Sequence, residues 1–261
     1  PHEIPIMPNI LSPLAAALLL MAATAVAQVV TSPAPAPAQT AHQFQYTKTI
    51  HATVDYLLYL PRGYDAQADR RWPLILFLHG AGERGTNIWK VATHGPLKHV
   101  TAGSDFPFIV VSPQCPEQQT WSRDLVLALL DEVMARQAVD PRRVYLTGLS
   151  MGGYGTWDLG LAFPERFAAI VPICGGGQMI GVILGSRDKG PALKSLGVWA
   201  FHGARDNVVP LEESQRMVNA LKKAGVVDVK FTIYPEAQHN SWTEAYRDPA
   251  LYAWLLTHER R

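Results

Sequence analysis

Residues 145 to 164 read YLTGLSMGGYGTWDLGLAFP, five glycines around a single serine. Glycine weakens helices and strands alike, so a cluster like this makes sense only where backbones approach closely or turn sharply. The β-rich VYLT at 144–147 precedes it, and a helical stretch from about Met151 to Phe163 follows. A strand that passes into a helix through Gly148-Leu149-Ser150-Met151-Gly152 matches the G-x-S-x-G turn, which lifts a serine hydroxyl above the edge of a sheet. The pentapeptide alone is a weak signal, because a serine that merely caps a helix looks the same. The flanking strand and helix make it specific.

The rest of the chain has the alternation such a turn requires. TVDYLLYLP (53–61) alternates as an outer antiparallel strand would. PLILFLHG (73–80) and FIVVSP (108–113) are short continuous apolar runs, the pattern of strands buried on both faces. RRVYLTG (142–148), FAAIVPICG (167–175), GVWAFHG (197–203) and VKFTIYP (229–235) continue the series. Between them the spacing predicts a helix from Ser122, as N-cap, to a stop at Pro141. It also predicts one over 210–225, bounded by Pro210 and Gly225, and mostly helical structure from Ser241 to His258. This is an α/β fold: a mostly parallel sheet of about eight strands with helices on both faces.

In such a sheet, residues just beyond the strand ends carry the chemistry. A serine hydroxyl is a poor nucleophile until a base removes its proton, and the base needs an acid to hold its tautomer. After this turn the partners follow in the order acid, then histidine. Asp206 lies just past GVWAFHG, and His239 just past the last strand. Asp188 precedes the strand ending at His202, and Glu236 is too near His239 along the chain to orient it. His79 and His202 each stand before a glycine at a strand end, where bonding to a loop is the expected role. The oxyanion formed in acyl transfer needs donors, here the backbone N–H groups of Met151 and, from LHGAGERG (78–85), Ala81. Trp121 and Trp242 are candidate pocket walls or packing residues. For Glu83 and Arg84 an ion pair holding the oxyanion loop is the leading expectation.

A formal net charge of +1 gives no reason to expect nucleic acid or an anionic membrane as partner. The apolar run Leu14–Val26, ending in Ala-Val-Ala before Gln28, reads as a signal segment (1–27) for a secreted or periplasmic protein without lasting membrane insertion. TSPAPAPAQT lies within an expected linker (28–43), leaving 44–261 as the catalytic domain. Cys115 and Cys174, the only cysteines, could pair in a secreted chain, but buried free thiols are the favoured expectation because the strands they follow need not be neighbours; neither has metal-site spacing, and no metal or organic cofactor is called for.

Over roughly residues 50 to 258 the chain resembles the α/β-hydrolase superfamily. LHGAGERG, SPQCP, GLSMGGYGTWDLGLAFPERFAAIVPICGGG, WAFHGARDNVVP and HNSW are similar to secreted bacterial carboxylesterases allied to polyhydroxybutyrate-depolymerase-like, feruloyl-esterase-like and predicted-peptidase-like proteins. The resemblance implies an acyl-enzyme mechanism on small or polymer-linked esters, with Ser150 as nucleophile, His239 as base and Asp206 as orienting acid. A peptidase of the prolyl-oligopeptidase kind and a non-catalytic scaffold are the rivals. QMIGVILGSRDKGPALKSL (178–196) departs from the family pattern, being apolar where a short polar connection is usual, and it is too short for a large lid domain.

Overall fold

In the computed structural model, residues 40–67, 69–100 and 106–260 are described. The chain separates into two units, Pro1–Ile50 and His51–Arg261. In the first, residues 40–50 hold no helix or strand and are exposed, Phe44 at 88%. The expected signal segment and residues 28–39 of the expected linker lie outside the described residues.

The second unit is organised by strands β1 (Tyr56–Tyr59), β2 (Trp72–Leu78), β3 (Ile109–Pro113), β4 (Val139–Leu149), β5 (Ala169–Ile173), β6 (Gly197–Gly203) and β7 (Val229–Tyr234). They form one sheet in the order β1-β3-β2-β4-β5-β6-β7. β1 is antiparallel to β3 and all other neighbours are parallel. The described residues thus hold seven strands, not the expected eight. Residues 51–55 carry no strand, and the Gln114 N–H to Asp55 carbonyl bond of 2.8 Å holds only their end.

The helices are α1 (Pro96–Val100), α2 (Arg123–Arg136), α3 (Met151–Ala162), α4 (Met179–Asp188), α5 (Gly190–Ser195), α6 (Leu211–Lys223), α7 (Trp242–Arg247) and α8 (Pro249–Leu256). Strand side chains alternate between two cores. Leu74, Leu76 and Leu78 of β2 pack on the face covered by α2, α3 and α6, whereas Ile75 and Phe77 pack on the face covered by α1, α7 and α8. Every residue of β2, β3 and β5 is buried, which is why these strands read as unbroken apolar runs. On α6, Ser214, Met217, Val218 and Leu221 recur at helical spacing and are buried. Each large apolar side chain taken from water in this way stabilises the fold by about 1.5–3 kcal/mol.

Two local expectations change. α2 ends at Arg136, before Pro141, which lies instead in β4 where the register jumps between Trp72 and Leu74. A proline fits there because the irregular stretch asks for no ladder N–H. Ser122 occupies the N-cap of α2 but its side chain makes no cap bond. Residues 178–196, the stretch that departs from the family pattern, form α4 and α5. Val182 and Leu193 anchor the pair in the core despite Gly181, Gly185 and Gly190, so tertiary packing overrides weak propensity.

Candidate active site

β4 is the central strand, and its last residue, Leu149, leads directly into Ser150 and α3. Ser150 has φ 51° and ψ −116°, a conformation rare for any residue with a side chain. Two glycines permit it. A Cβ on Gly148 would sit 2.4 Å from the Gly152 carbonyl oxygen, and one on Gly152 would sit 1.9 Å from the Leu78 carbonyl oxygen. The turn is clamped by Ser150 N–H donating to Ile173 O (3.0 Å) and Tyr154 N–H donating to Ser150 O (3.0 Å).

Asp206 follows β6 and His239 follows β7, and the two loops are joined by Arg205 N–H donating to Ala237 O at 3.0 Å. The structure brings all three candidate residues into line. Ser150 Oγ lies 2.9 Å from His239 Nε2, and His239 Nδ1 lies 2.8 Å from Asp206 Oδ2. The other carboxylate oxygen, Oδ1, accepts the N–H groups of Val208 and Val209, both at 2.9 Å. Burial of this carboxyl would raise its pKa, but the His239 bond and the two backbone donors outweigh burial and hold it below the usual carboxylate value. Asp206 is therefore an anion that only accepts, His239 Nδ1 carries the hydrogen, and Nε2 is left to accept from the serine.

Met151 and Ala81, the expected oxyanion donors, lie at the start of α3 and just past β2. Met151 is the first residue of α3, so its N–H has no acceptor within the helix. Ala81 opens a short 3-10 turn, Ala81–Glu83, just past β2, whose Leu78 pairs with Gly148. That loop is braced from behind. His79 Nδ1 donates to Gly80 O (2.6 Å), and its Nε2 accepts from Cys115 N–H (2.9 Å). Burial pushes the His79 pKa down to about 4, so it serves as a neutral strut. Gln114 Nε2 donates to Glu83 O (2.7 Å), and Arg84 Nε donates to Ala81 O (3.0 Å). Glu83 and Arg84 do not pair with each other as expected: the Glu83 carboxylate faces His79 (3.9 Å) and His94 (3.8 Å), and Arg84 reaches backbone carbonyls of Ala81 and Gln119.

Beside Met151 lies an open cavity of about 610 Å³, lined by Trp121, Tyr154, Gly177, Gln178 and Arg216 among others. Trp121 has two jobs: it forms cavity wall, and it packs edge-on against His79 while donating to His79 O at 3.2 Å. Trp242 is not part of that cavity. Its ring packs edge-on against the His239 imidazole, with centroids 5.3 Å apart, and it lines a separate 180 Å³ pocket. Sequence reasoning missed Tyr154 and Arg216. Tyr154 could have been found as the position one helical turn after Ser150, but Arg216 reaches the site only through the packing of α6.

Cys115 and Cys174 are free and buried. Cys174 Sγ, an Asp206 carboxylate oxygen and a His239 nitrogen all lie within 4.8 Å of one another, a spacing that could bracket a metal ion. Burial pushes the Cys174 thiol up to about 12, and Asp206 and His239 already bond to each other.

A family model described as Phospholipase/Carboxylesterase matches residues 106–251, more than half the chain. A probable feruloyl esterase C from Aspergillus terreus is 26% identical over 171 residues, covering 63% of this chain and 59% of its own length. A poly(3-hydroxyalkanoate) depolymerase C from Paucimonas lemoignei is 30% identical over 135 residues, covering 45% of this chain and 30% of its own. Among solved structures, a thermostable esterase superposes with a TM-score of 0.66 at 32% identity, covering 79% of this chain and 60% of that one. This chain thus spans about three-fifths or less of each of these relatives.

Proposed function

Because the chain belongs to the phospholipase/carboxylesterase family of α/β-hydrolases, we propose that it is a serine hydrolase that cleaves carboxylic esters through an acyl-enzyme. The observation that carries this reading is the continuous line Ser150 Oγ, His239 Nε2, His239 Nδ1, Asp206 Oδ2, with contacts of 2.9 and 2.8 Å. Ser150 Oγ attacks the ester carbonyl while His239 takes its proton. Asp206 orients the ring and stabilises the imidazolium, and the N–H groups of Met151 and Ala81 bind the developing oxyanion. A preorganised donor of that kind lowers the barrier by about 3 kcal/mol. The imidazolium then protonates the leaving alcohol, and a water activated by the same imidazole releases the acid. The acyl or aryl part of the substrate rests against Trp121 and Tyr154 in the adjoining cavity, which is open enough to need no lid. The segment Leu14–Val26 supports export to the periplasm or the medium. Among the described residues no helix is long and apolar enough to cross a membrane.

The test is a panel of p-nitrophenyl esters from acetate to decanoate, with methyl ferulate, a polyester film and peptide anilides. Ester cleavage well ahead of anilide cleavage is expected; faster anilide turnover would replace the reading with a peptidase. Stability should fall on the acid side. The unfolded chain protonates at His79 from about 6.5 downward, before the folded one does. The Asp206 contribution, full above the ordinary carboxylate value, is lost later as pH drops through its lower folded value.

A further inference from the structure

Asp206 touches a second imidazole. His202, at the end of β6, is fully buried, and its Nε2 lies 2.9 Å from Val209 O and 3.3 Å from Asp206 Oδ2, the oxygen that also faces His239. A carbonyl can only accept, so Nε2 carries a hydrogen and donates it to Val209 O, with the carboxylate oxygen alongside as a close polar neighbour. The other ring nitrogen, Nδ1, is 2.8 Å from Ser214 Oγ, and that hydroxyl donates to Gly175 O at 2.8 Å. Ser214 is on α6 and fully buried, and Gly175 follows β5. The ring therefore ties together the strand before Asp206, the loop after it, the following helix and the adjacent strand end.

We propose that His202 is a positioning residue for the reaction, fixing the loop that carries the Asp206 carboxylate through its Nε2 hydrogen bond to Val209 O. The 206–209 loop is a small ring closed twice. Val208 and Val209 donate to Oδ1 from one side, and His202 holds the Val209 carbonyl and faces Oδ2 from the other. The carboxylate has two torsions to fix, and solvent reaches none of its side chain. Without His202 the Val209 carbonyl loses its donor, and the loop is freer to rotate the carboxylate off the imidazole axis. The cost falls on orientation of the base, hence on kcat, while the cavity beside Met151 that binds the substrate is untouched. A packing role alone would predict something different: any side chain of similar volume would serve, and losses would follow stability rather than the Asp206 contact.

The inference rests on the serine-hydrolase reading above, and the experiment separates the two. Steady-state kinetics on p-nitrophenyl acetate are measured for the parent and for Ser150→Ala, Asp206→Ala, His202→Asn, His202→Gln, Ser214→Ala and the double variants Asp206→Ala/His202→Asn and Asp206→Ala/Ser214→Ala. His202→Asn places its amide near the Nδ1 position and loses the Nε2 donor; kcat is expected to fall about tenfold or more with KM nearly unchanged. His202→Gln restores a donor near Nε2 and is expected to recover most of that loss. In the Asp206→Ala background the His202→Asn change is expected to cost almost nothing further, since its effect runs through the missing carboxylate. Equal activity for the Asn and Gln variants, or an undiminished loss in the Asp206→Ala background, overturns the proposal. Should His202→Asn fail to fold, Ser214→Ala and His202→Gln decide. A kcat drop for Ser214→Ala that vanishes in Asp206→Ala supports the proposal, and parent-like kcat for Ser214→Ala overturns it. Full turnover by Ser150→Ala would instead sink the hydrolase reading itself.

Discussion

Ser150→Ala is expected to lower kcat for p-nitrophenyl acetate by about a millionfold and to abolish labelling by a fluorophosphonate probe. The hydroxyl has a base 2.9 Å away and the first residue of α3 beside it, and under the proposed mechanism it is the atom that forms the acyl-enzyme. A residual rate above the uncatalysed one should survive, since the donors at Met151 and Ala81 still polarise a bound carbonyl for attack by water. The loss will be chemical rather than structural. Alanine keeps the Cβ, so the strain of φ 51° at position 150, of order 1–3 kcal/mol, is the same in the variant, and the melting temperature should barely move. Ser150→Gly supplies the internal check: it is equally inactive, yet it relieves the strain and should melt higher than the parent. A Ser150→Ala protein that still turns over ester at a tenth of the parent rate would remove Ser150 from the mechanism.

The parts of this site that were legible in the sequence share one property: each sits within a few residues of a strand end. Ser150, Asp206 and His239 follow β4, β6 and β7, so reading the strands already places them on one edge of the sheet. The 2-residue alternation and buried runs that define those strands come from burial on two faces, which leaves a direct imprint on composition. Other features depend on which helices lie against each other, and that leaves little trace. Tyr154 and Arg216 meet around the cavity because α4 packs against both α3 and α6. Residues 178–196 carry three glycines and a proline, a poor helical signature, yet Val182 and Leu193 find core positions that hold α4 and α5 in place. His202 is an intermediate case. Its place before a glycine at a strand end marks it as a loop-bonding histidine, but only the return of the loop at Val209 reveals that the loop is the one carrying Asp206.

Gly152→Ala is expected to destabilise the domain by at least about 4 kcal/mol, or to prevent folded protein from accumulating. The added methyl would lie 1.9 Å from Leu78 O, 2.5 Å from Leu78 C and 2.7 Å from His79 O, and all three atoms belong to backbone. No rotamer change can clear them. β2 cannot retreat, because it is paired on one side to β3 and on the other to β4, the strand that delivers Ser150. α3 cannot lift away without withdrawing Trp157 and Leu159 from the core. For a domain of this size 4 kcal/mol corresponds to a fall in Tm of about 8–16 °C, readable by circular dichroism. Gly190→Ala is the control. A Cβ there meets nothing within 4 Å and the residue opens α5, so that variant should melt close to the parent. Whatever fraction of Gly152→Ala folds should also be a poor catalyst, since the displaced carbonyls at 78 and 79 lead into the loop that carries the Ala81 N–H. If Gly152→Ala melts within a degree or two of the parent, the close crossing of β2 and α3 is wrong. The conformation of Ser150, which depends on that crossing, would then have to be redrawn.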